Sequence, residues 1–556
     1  MKDEDRAARA LSRRDLMKAG ALGSALAAAG PLLPHLAGAE SPAPSASATA
    51  SSGAAPFELE EATIATLQEA MKSGHRTARS ITEAYLTRIE ELNRKGPELR
   101  AVIETNPEAL AIADALDAER KAKGPRGPLH GIPVLLKDNI GTHDRNTTTA
   151  GSLALEGSIP PRDAFLAARL RAAGAVLLGK ANLSEWANFR STHSSSGWSS
   201  RGGQCRNPYA LDRCPSGSSS GSAAAVAANL AAVTVGSETD GSIISPSTHC
   251  GVVGIKPTLG LISRAGVIPI AHSQDTAGPI CRTVADAATL LGAMTGVDER
   301  DEATKASLGK ALTDYTKFLD PAGLKGAKLG IFHPRSLEDH PHTDRVLADS
   351  LAVLKSGGAT IIDPVKLATA GKFGDDELEV LLYEFKTDLD RYLADLGPSA
   401  PVHSLKEAIE FNAKNRDRVM PYFGQELFEQ AQAKGPLTDD KYKKALENCQ
   451  RMSRKEGLDA VFAEHKLDAV VAISGGPAWL IDLVNGDSGT GGSSQFAAVS
   501  GYPSITVPAG YALGLPIGIS FIGPAWSEPA LIKLAYAFEQ ATKVRKVPRF
   551  LATAVS

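Results

Sequence analysis

The hydrophobic pattern along the chain switches between two periods. In "TIATLQEAMKSG" and "SITEAYLTRIEELNRKG", between Glu58 and about Arg94, apolar positions recur three and four apart, and each stretch ends in glycine, which predicts two helices. "ALAIADALDAERKAKG" (109–124) predicts a third. "HGIPVLLKDNI" (130–140) is a short apolar run with proline near its start and predicts a buried strand. "AFLAARLRAAG" then "AVLLGKANL" predicts helix and strand, as do "DAATLLGAMTG" and "KLGIFH", while "VLADSLAVLKSGGATII" predicts helix, turn and strand. Residues from about 375 to 465 are Lys/Glu-rich and helical in period, and are expected to form a helical insertion over the core. "DAVVAIS" (468–474), "PSITVPAGY" and "IGISFIG" return to strand, and "EPALIKLAYAFEQAT" predicts a closing helix. Alternation of this kind predicts an α/β fold: one large α/β/α domain whose mixed, mostly parallel sheet is covered by helices on both faces.

The amino terminus reads as an address. "SRRDLMK" (Ser12 to Lys18) matches a twin-arginine export pattern, and the apolar, small-residue run behind it ends in an A-x-A site at Ala37-Gly38-Ala39. Residues 1–39 are therefore expected to be a signal peptide and the twin-arginine translocase a partner during export, with a periplasmic or secreted product. Gly30, Pro31 and Pro34 interrupt the run, which argues against a membrane anchor and against stable membrane insertion after signal removal. "ESPAPSASATASSGAAP" (40–56) is expected to be a flexible linker.

Composition narrows the picture only by exclusion. The 556 residues are 43% hydrophobic with a net charge of −3, so the chain is globular and nothing in bulk favours nucleic acid. Five cysteines without a C-x-x-C pair indicate neither a disulfide scaffold nor a zinc ribbon, although Cys205 and Cys214 are close enough in sequence to pair. Three motifs are expected to be decoys. "GAVLLGK" (174–180) has phosphate-loop spacing, but Ala181 stands where a Ser or Thr is needed and the intervening residues are strand formers. "EDHPHTD" (338–344) is expected to be a solvated loop, because Pro341 separates the two histidines. "GTGGSSQ" (489–495) is expected to be a loop near the site.

The chemistry concentrates in "CPSGSSSGSAAAVAANLAAVTVGSETDGSIISPS" (214–247). A Ser/Gly loop opening an apolar helix presents unpaired N–H groups and hydroxyls. "SAAAVAANLAAVTV" is expected to be helical, with "GSETDGS" as a second turn and "II" before Pro246 as strand, so that two serines can be brought together. A serine nucleophile needs an adjacent base, yet the stretch holds no histidine. His249 lies just beyond it and is expected to be structural. Lys137 follows the apolar "PVLL", where desolvation would lower its pKa from about 10.4 toward a value useful to a base. A pair with Asp138 is disfavoured, because adjacent strand residues point to opposite faces.

"GIPVLLKDNI", "GKANLSEW", "SGSSSGSAAAVAA", "SETDGSIISPS" and "GVVGIKPTLGLISRAGVIPIAHSQDTAGPICRTVADAA" resemble the amidase signature family, in family order, over about residues 60–545. The resemblance implies one amidase domain over 57–556, the amidase signature fold, and a Ser-cisSer-Lys triad with Lys137 as base, Ser218 as the cis-serine and Ser242 as nucleophile. It implies an oxyanion hole from the backbone N–H groups of Thr239, Asp240, Gly241 and Ser242, and neither cofactor nor metal. Ser216 replaces the first glycine of the family's loop, and Ile244 stands where most members carry arginine two residues after the nucleophile. Both departures, with "ETDGSI" and "SRAGVIPI", resemble the peptide amidase branch, which implies hydrolysis of peptide C-terminal carboxamides or amino-acid amides. Without that arginine no cation pairs a substrate carboxylate. The alternatives are a broader aryl or aliphatic amidase and a catalytically dead binding protein, which the intact Lys137, Ser218 and Ser242 disfavour. A transamidosome component is disfavoured, since tRNA charging is cytoplasmic.

Overall fold

Local rules place the first elements. Thr63 and Thr77 each close a capping box, with a hydroxyl at the third helical residue answering back, and so start the helices Ile64–Lys72 and Ala78–Ile89. The computed structural model describes residues 57–337, 340–489 and 491–554. The expected signal over 1–39 and the linker over 40–56 lie outside the described residues. No helix among those residues is long and apolar enough to cross a membrane.

The strands are β1 Val102–Thr105, β2 Pro133–Lys137, β3 Val176–Ala181, β4 Trp198–Ser199, β5 Gly203–Gln204, β6 Val233–Glu238 and β7 Val253–Lys256. They continue as β8 Thr276–Cys281, β9 Lys328–Ile331, β10 Thr360–Ile362, β11 Ala469–Ile473, β12 Ser504–Ala512 and β13 Leu515–Ile522. β4 and β5 pair with each other; the other eleven form one sheet in the order β1-β3-β2-β6-β8-β7-β12-β13-β11-β9-β10. The expected α/β architecture is present and the sheet is mixed. Its parallel pairing is gathered in two blocks, β3-β2-β6 and β11-β9-β10. The centre, through β8, β7, β12 and β13, is antiparallel.

Connection length explains the division. β2 to β3 and β9 to β10 cross over through the helices Phe165–Ala172 and Pro341–Ser356, as parallel neighbours require. β12 and β13 are joined only by Leu513 and Gly514, both at positive φ (52° and 75°), a turn that can only reverse the chain.

Three expectations change. The run after the Ser/Gly loop is not helical throughout: the helix Ser220–Ala227 stops, Asn229 takes a positive φ of 59°, and β6 follows. Valines and threonine replace alanines at that point, and β-branching favours strand. Ile244 is not strand but opens the short helix Ile244–His249, because Glu238 Oε2 accepts from the N–H groups of Ile243 (2.6 Å) and Ile244 (2.9 Å). The "EDHPHTD" stretch is also not all loop: Pro341 begins a helix there, a position where its missing N–H costs nothing.

The helices of 374–465 are Gly374–Asp395, Leu405–Lys414, Arg416–Val419, Glu426–Gln432, Asp440–Ser453 and Asp459–His465. They build two hydrophobic clusters of their own. One joins Phe385 and Phe428 to Trp186, Phe189, Ile268 and Ile270; the other surrounds Phe373 and Phe496. Both press the helical layer onto the core through these side chains. A buried ion pair, Arg190 with Glu185, pins the same layer: Arg190 also donates to the carbonyls of Val419 (2.9 Å) and Gly424 (3.2 Å) and stacks 4.4 Å from the Phe423 ring centre.

Candidate active site

All five residues of β2 are buried, so Lys137 at its end is carried into the interior. Its Nζ donates to Ser218 Oγ (2.7 Å), Ser237 Oγ (2.9 Å) and the Ser237 carbonyl (3.1 Å). No carboxylate pairs it among the described residues. Burial is the main effect on its pKa and lowers it to about 7, with the charges of Asp275 and Glu238 pulling weakly the other way. Asp138 leaves the strand toward the opposite side, accepting from the Thr149 hydroxyl and from the Gly151 N–H (3.1 Å). The two neighbours therefore serve different networks.

Ser218 sits in the Ser/Gly loop, after a cis Gly217–Ser218 peptide. The loop is fixed from three sides. The Ser220 hydroxyl donates to the Ser216 carbonyl (2.6 Å), the Gly221 N–H to the Asn182 carbonyl (2.9 Å), and the Ser219 hydroxyl to the Ser237 carbonyl (3.0 Å). The Ser219 N–H donates to the Ser242 carbonyl (3.2 Å), which ties the Ser218 loop directly to the turn that carries Ser242. Ser242 itself is nearly buried, with 8% of its surface exposed.

The turn Thr239–Ser242 links β6 to the helix Ile244–His249. Gly241 takes a positive φ of 75°, which glycine adopts without penalty. The N–H groups of Thr239, Asp240, Gly241 and Ser242 donate to no protein acceptor among the described residues, so they are free to receive a ligand oxygen. Thr239 is held at two points: its hydroxyl donates to Asp275 Oδ1 (2.5 Å) and its carbonyl accepts from Gln274 Nε2 (3.2 Å). Burial raises the Asp275 pKa to about 6. The same Gln274 nitrogen reaches Glu377 Oε1 (3.1 Å), and Gln495 Nε2 donates to Glu377 Oε2 (2.8 Å). Glu377 thus connects the helical layer to the turn.

A cavity of about 330 Å³ opens beside Gly217 and Gly241, lined also by Asp240, Ile244, His249, Trp479 and Asp487. Gly489, Gly491, Gly492 and Ser494 add to its wall, so these residues of the "GTGGSSQ" stretch do lie at the site. A larger groove of about 950 Å³, between the helices Ile64–Lys72 and Glu528–Thr542, contains none of the candidate site residues.

The remaining sequence expectations resolve simply. His249 Nδ1–H donates to the Ser245 carbonyl (2.7 Å), and burial pulls its pKa down to about 4, so it is a neutral wall residue. Cys205 and Cys214 are both free and buried. The "GAVLLGK" stretch enters buried β3, with Lys180 donating to the Ile140 carbonyl (2.6 Å) and the Thr148 hydroxyl (2.7 Å). Sequence reasoning does not reach Ser237, Gln274, Asp275, Glu377 or Asp487. Ser237 was findable, as it lies five residues before Ser242 on the strand feeding the turn. Glu377 and Asp487 carry no local signal.

A profile of the Amidase family matches residues 80–532. The chain belongs to the amidase family. It is 47% identical over 503 residues to a probable amidase of Arabidopsis thaliana, covering 89% of this chain and 93% of the relative. The native peptide amidase of Stenotrophomonas maltophilia superposes with a TM-score of 0.86 at 50% identity, covering 89% of this chain and all of that one. An amidase family protein from Bacillus anthracis superposes with a TM-score of 0.80 at 39% identity, covering 88% of this chain and 93% of that one. The amidase signature fold, the likeness to the peptide amidase branch and an amide-hydrolysing activity all follow from this amidase's relatives and its sheet.

Proposed function

We propose that this amidase releases ammonia from the C-terminal carboxamides of peptides, or from amino-acid amides, through an acyl-enzyme on Ser242. The observation that carries the reading is the 2.7 Å contact between Lys137 Nζ and Ser218 Oγ in a site dry enough to hold the lysine near neutrality. Neutral Lys137 accepts the Ser218 proton, Ser218 takes the Ser242 proton, and Ser242 Oγ attacks the amide carbon. The free N–H groups of residues 239–242 receive the developing oxyanion; one such donor is worth roughly 2.7–4 kcal/mol in comparable sites. The C–N bond breaks as ammonia takes a proton back through Ser218, and water then cleaves the ester. The 50% identity to a peptide amidase supports the substrate class. The "SRRDLMK" and "AGA" motifs support export as a further part of the proposal.

The test is ammonia release from a panel of peptide amides, free amino-acid amides and aryl amides, with Ser242→Ala alongside. Turnover of peptide amides that vanishes in a folded Ser242→Ala variant is the expected result. Turnover confined to aryl amides would favour the broader amidase reading.

A further inference from the structure

The cavity beside the nucleophile turn has an uneven charge. Two of its lining residues, Asp240 and Asp487, are exposed acids, whereas no Lys or Arg lines it among the described residues. His249 cannot compensate, being held neutral by burial. Ile244 adds an apolar surface.

Both acids are fixed. Asp487 accepts from the Ser196 N–H (3.0 Å), the Ser196 hydroxyl (2.5 Å) and Trp479 Nε1 (3.0 Å), so its position is set by two different loops. Asp240 is part of the turn between Thr239 and Ser242. Its side chain faces the cavity, yet protein surrounds it closely enough that loss of bulk water, and next the charge of Glu377, push its pKa well above the usual carboxylate range. A carboxyl in that condition holds its proton until a cation arrives beside it, and then ionises and pairs with that cation. The charge of Lys256 acts on Asp240 in the other direction, but that lysine is itself buried and donates to the Pro257 carbonyl.

We propose that Asp240 and Asp487 make this cavity charge-selective, so that it accepts the neutral or cationic side chain of a substrate's C-terminal residue and excludes an anionic one. The proposal rests on the peptide-amide reading above and adds a substrate class to it. At about 330 Å³ the cavity is at the small end of ligand pockets, roughly 300–1,000 Å³, which suits one residue and not an extended segment. An incoming carboxylate would lose water in a space that offers it no cation among the described residues, and would face the Asp487 carboxylate where repulsion is screened less than in water.

The experiment uses the whole protein and three N-acetylated dipeptide amides that differ only in the last residue: glutamine, glutamate and lysine. Glutamine and glutamate are nearly isosteric, so their ratio isolates charge. The wild type is expected to favour the glutamine amide over the glutamate amide by about tenfold or more in kcat/KM, with the lysine amide at least equal to glutamine. Asp487→Asn and, separately, Asp240→Asn should each bring the glutamine-to-glutamate ratio closer to one, whatever they do to the absolute rate. Equal wild-type kcat/KM for glutamine and glutamate amides would overturn the proposal, and needs no variant to fold. Failure to hydrolyse any of the three would instead overturn the peptide-amide reading.

Discussion

Lys137 Nζ and Ser218 Oγ lie 2.7 Å apart although 81 residues separate them in the chain. β2 supplies the lysine and the Ser/Gly loop the hydroxyl. Because the nitrogen is fully buried and meets only uncharged oxygens, its pKa falls to about 7 and a large share of it is neutral near that pH.

Lys137→Ala should therefore remove almost all amide hydrolysis, and Lys137→Arg should not restore it. Arginine keeps the charge but cannot be deprotonated in a protein. The wild-type rate should rise with pH through about 7, as the ammonium loses its proton, and be lost below that value. Substantial activity of Lys137→Arg at neutral pH would mean that charge alone is enough.

Asp275 offers a second handle on the same titration. Its charge raises the Lys137 pKa, so Asp275→Asn should lower that pKa and move the acid limb of the kcat/KM profile to lower pH. The change also weakens the grip on Thr239, so kcat should fall. An acid limb that stays put or moves upward would contradict the assignment of that limb to Lys137.

Arg190 and Glu185 form a pair with almost no exposed side-chain surface. Arg190→Met leaves Glu185 as an uncompensated buried charge and frees the carbonyls of Val419 and Gly424. A loss of about 3–5 kcal/mol is expected, read by denaturant unfolding. Restoration of much of it by the double change Arg190→Met, Glu185→Gln would confirm the cause.

Gly221 has no room for a side chain: a Cβ there would run into the Ala101 carbonyl oxygen and lie 2.5 Å from the Asn182 nitrogen. Both are backbone atoms and cannot swing aside. Gly221→Ala should cost about 1–3 kcal/mol or more and displace the Ser218 loop, so activity should drop more than about tenfold in whatever protein folds. Wild-type kcat would show that the loop tolerates the shift.

The export proposal is tested by Arg13→Lys with Arg14→Lys. The precursor should stay in the cytoplasm, while the wild type appears outside it with Glu40 at its amino terminus. Unchanged export of the double variant would exclude the twin-arginine route.

The sequence by itself determined the α/β class, because apolar periodicity reports which face of a local element is buried. It carried the family through "PVLLKDN", "SGSSSGS" and "ETDGS", which are short continuous motifs. It singled out Lys137, since four apolar neighbours already announce a desolvated amine. Tertiary structure alone decided where parallel pairing stops, as that depends on whether a strand's partner comes through a crossover helix or a two-residue turn. It also decided which side chains hold the turn Thr239–Ser242 and the wall of the cavity beside it. Gln274, Glu377 and Asp487 act across gaps of 35, 103 and 291 residues, and a buried polar group's partner is chosen by three-dimensional proximity, which no local pattern encodes.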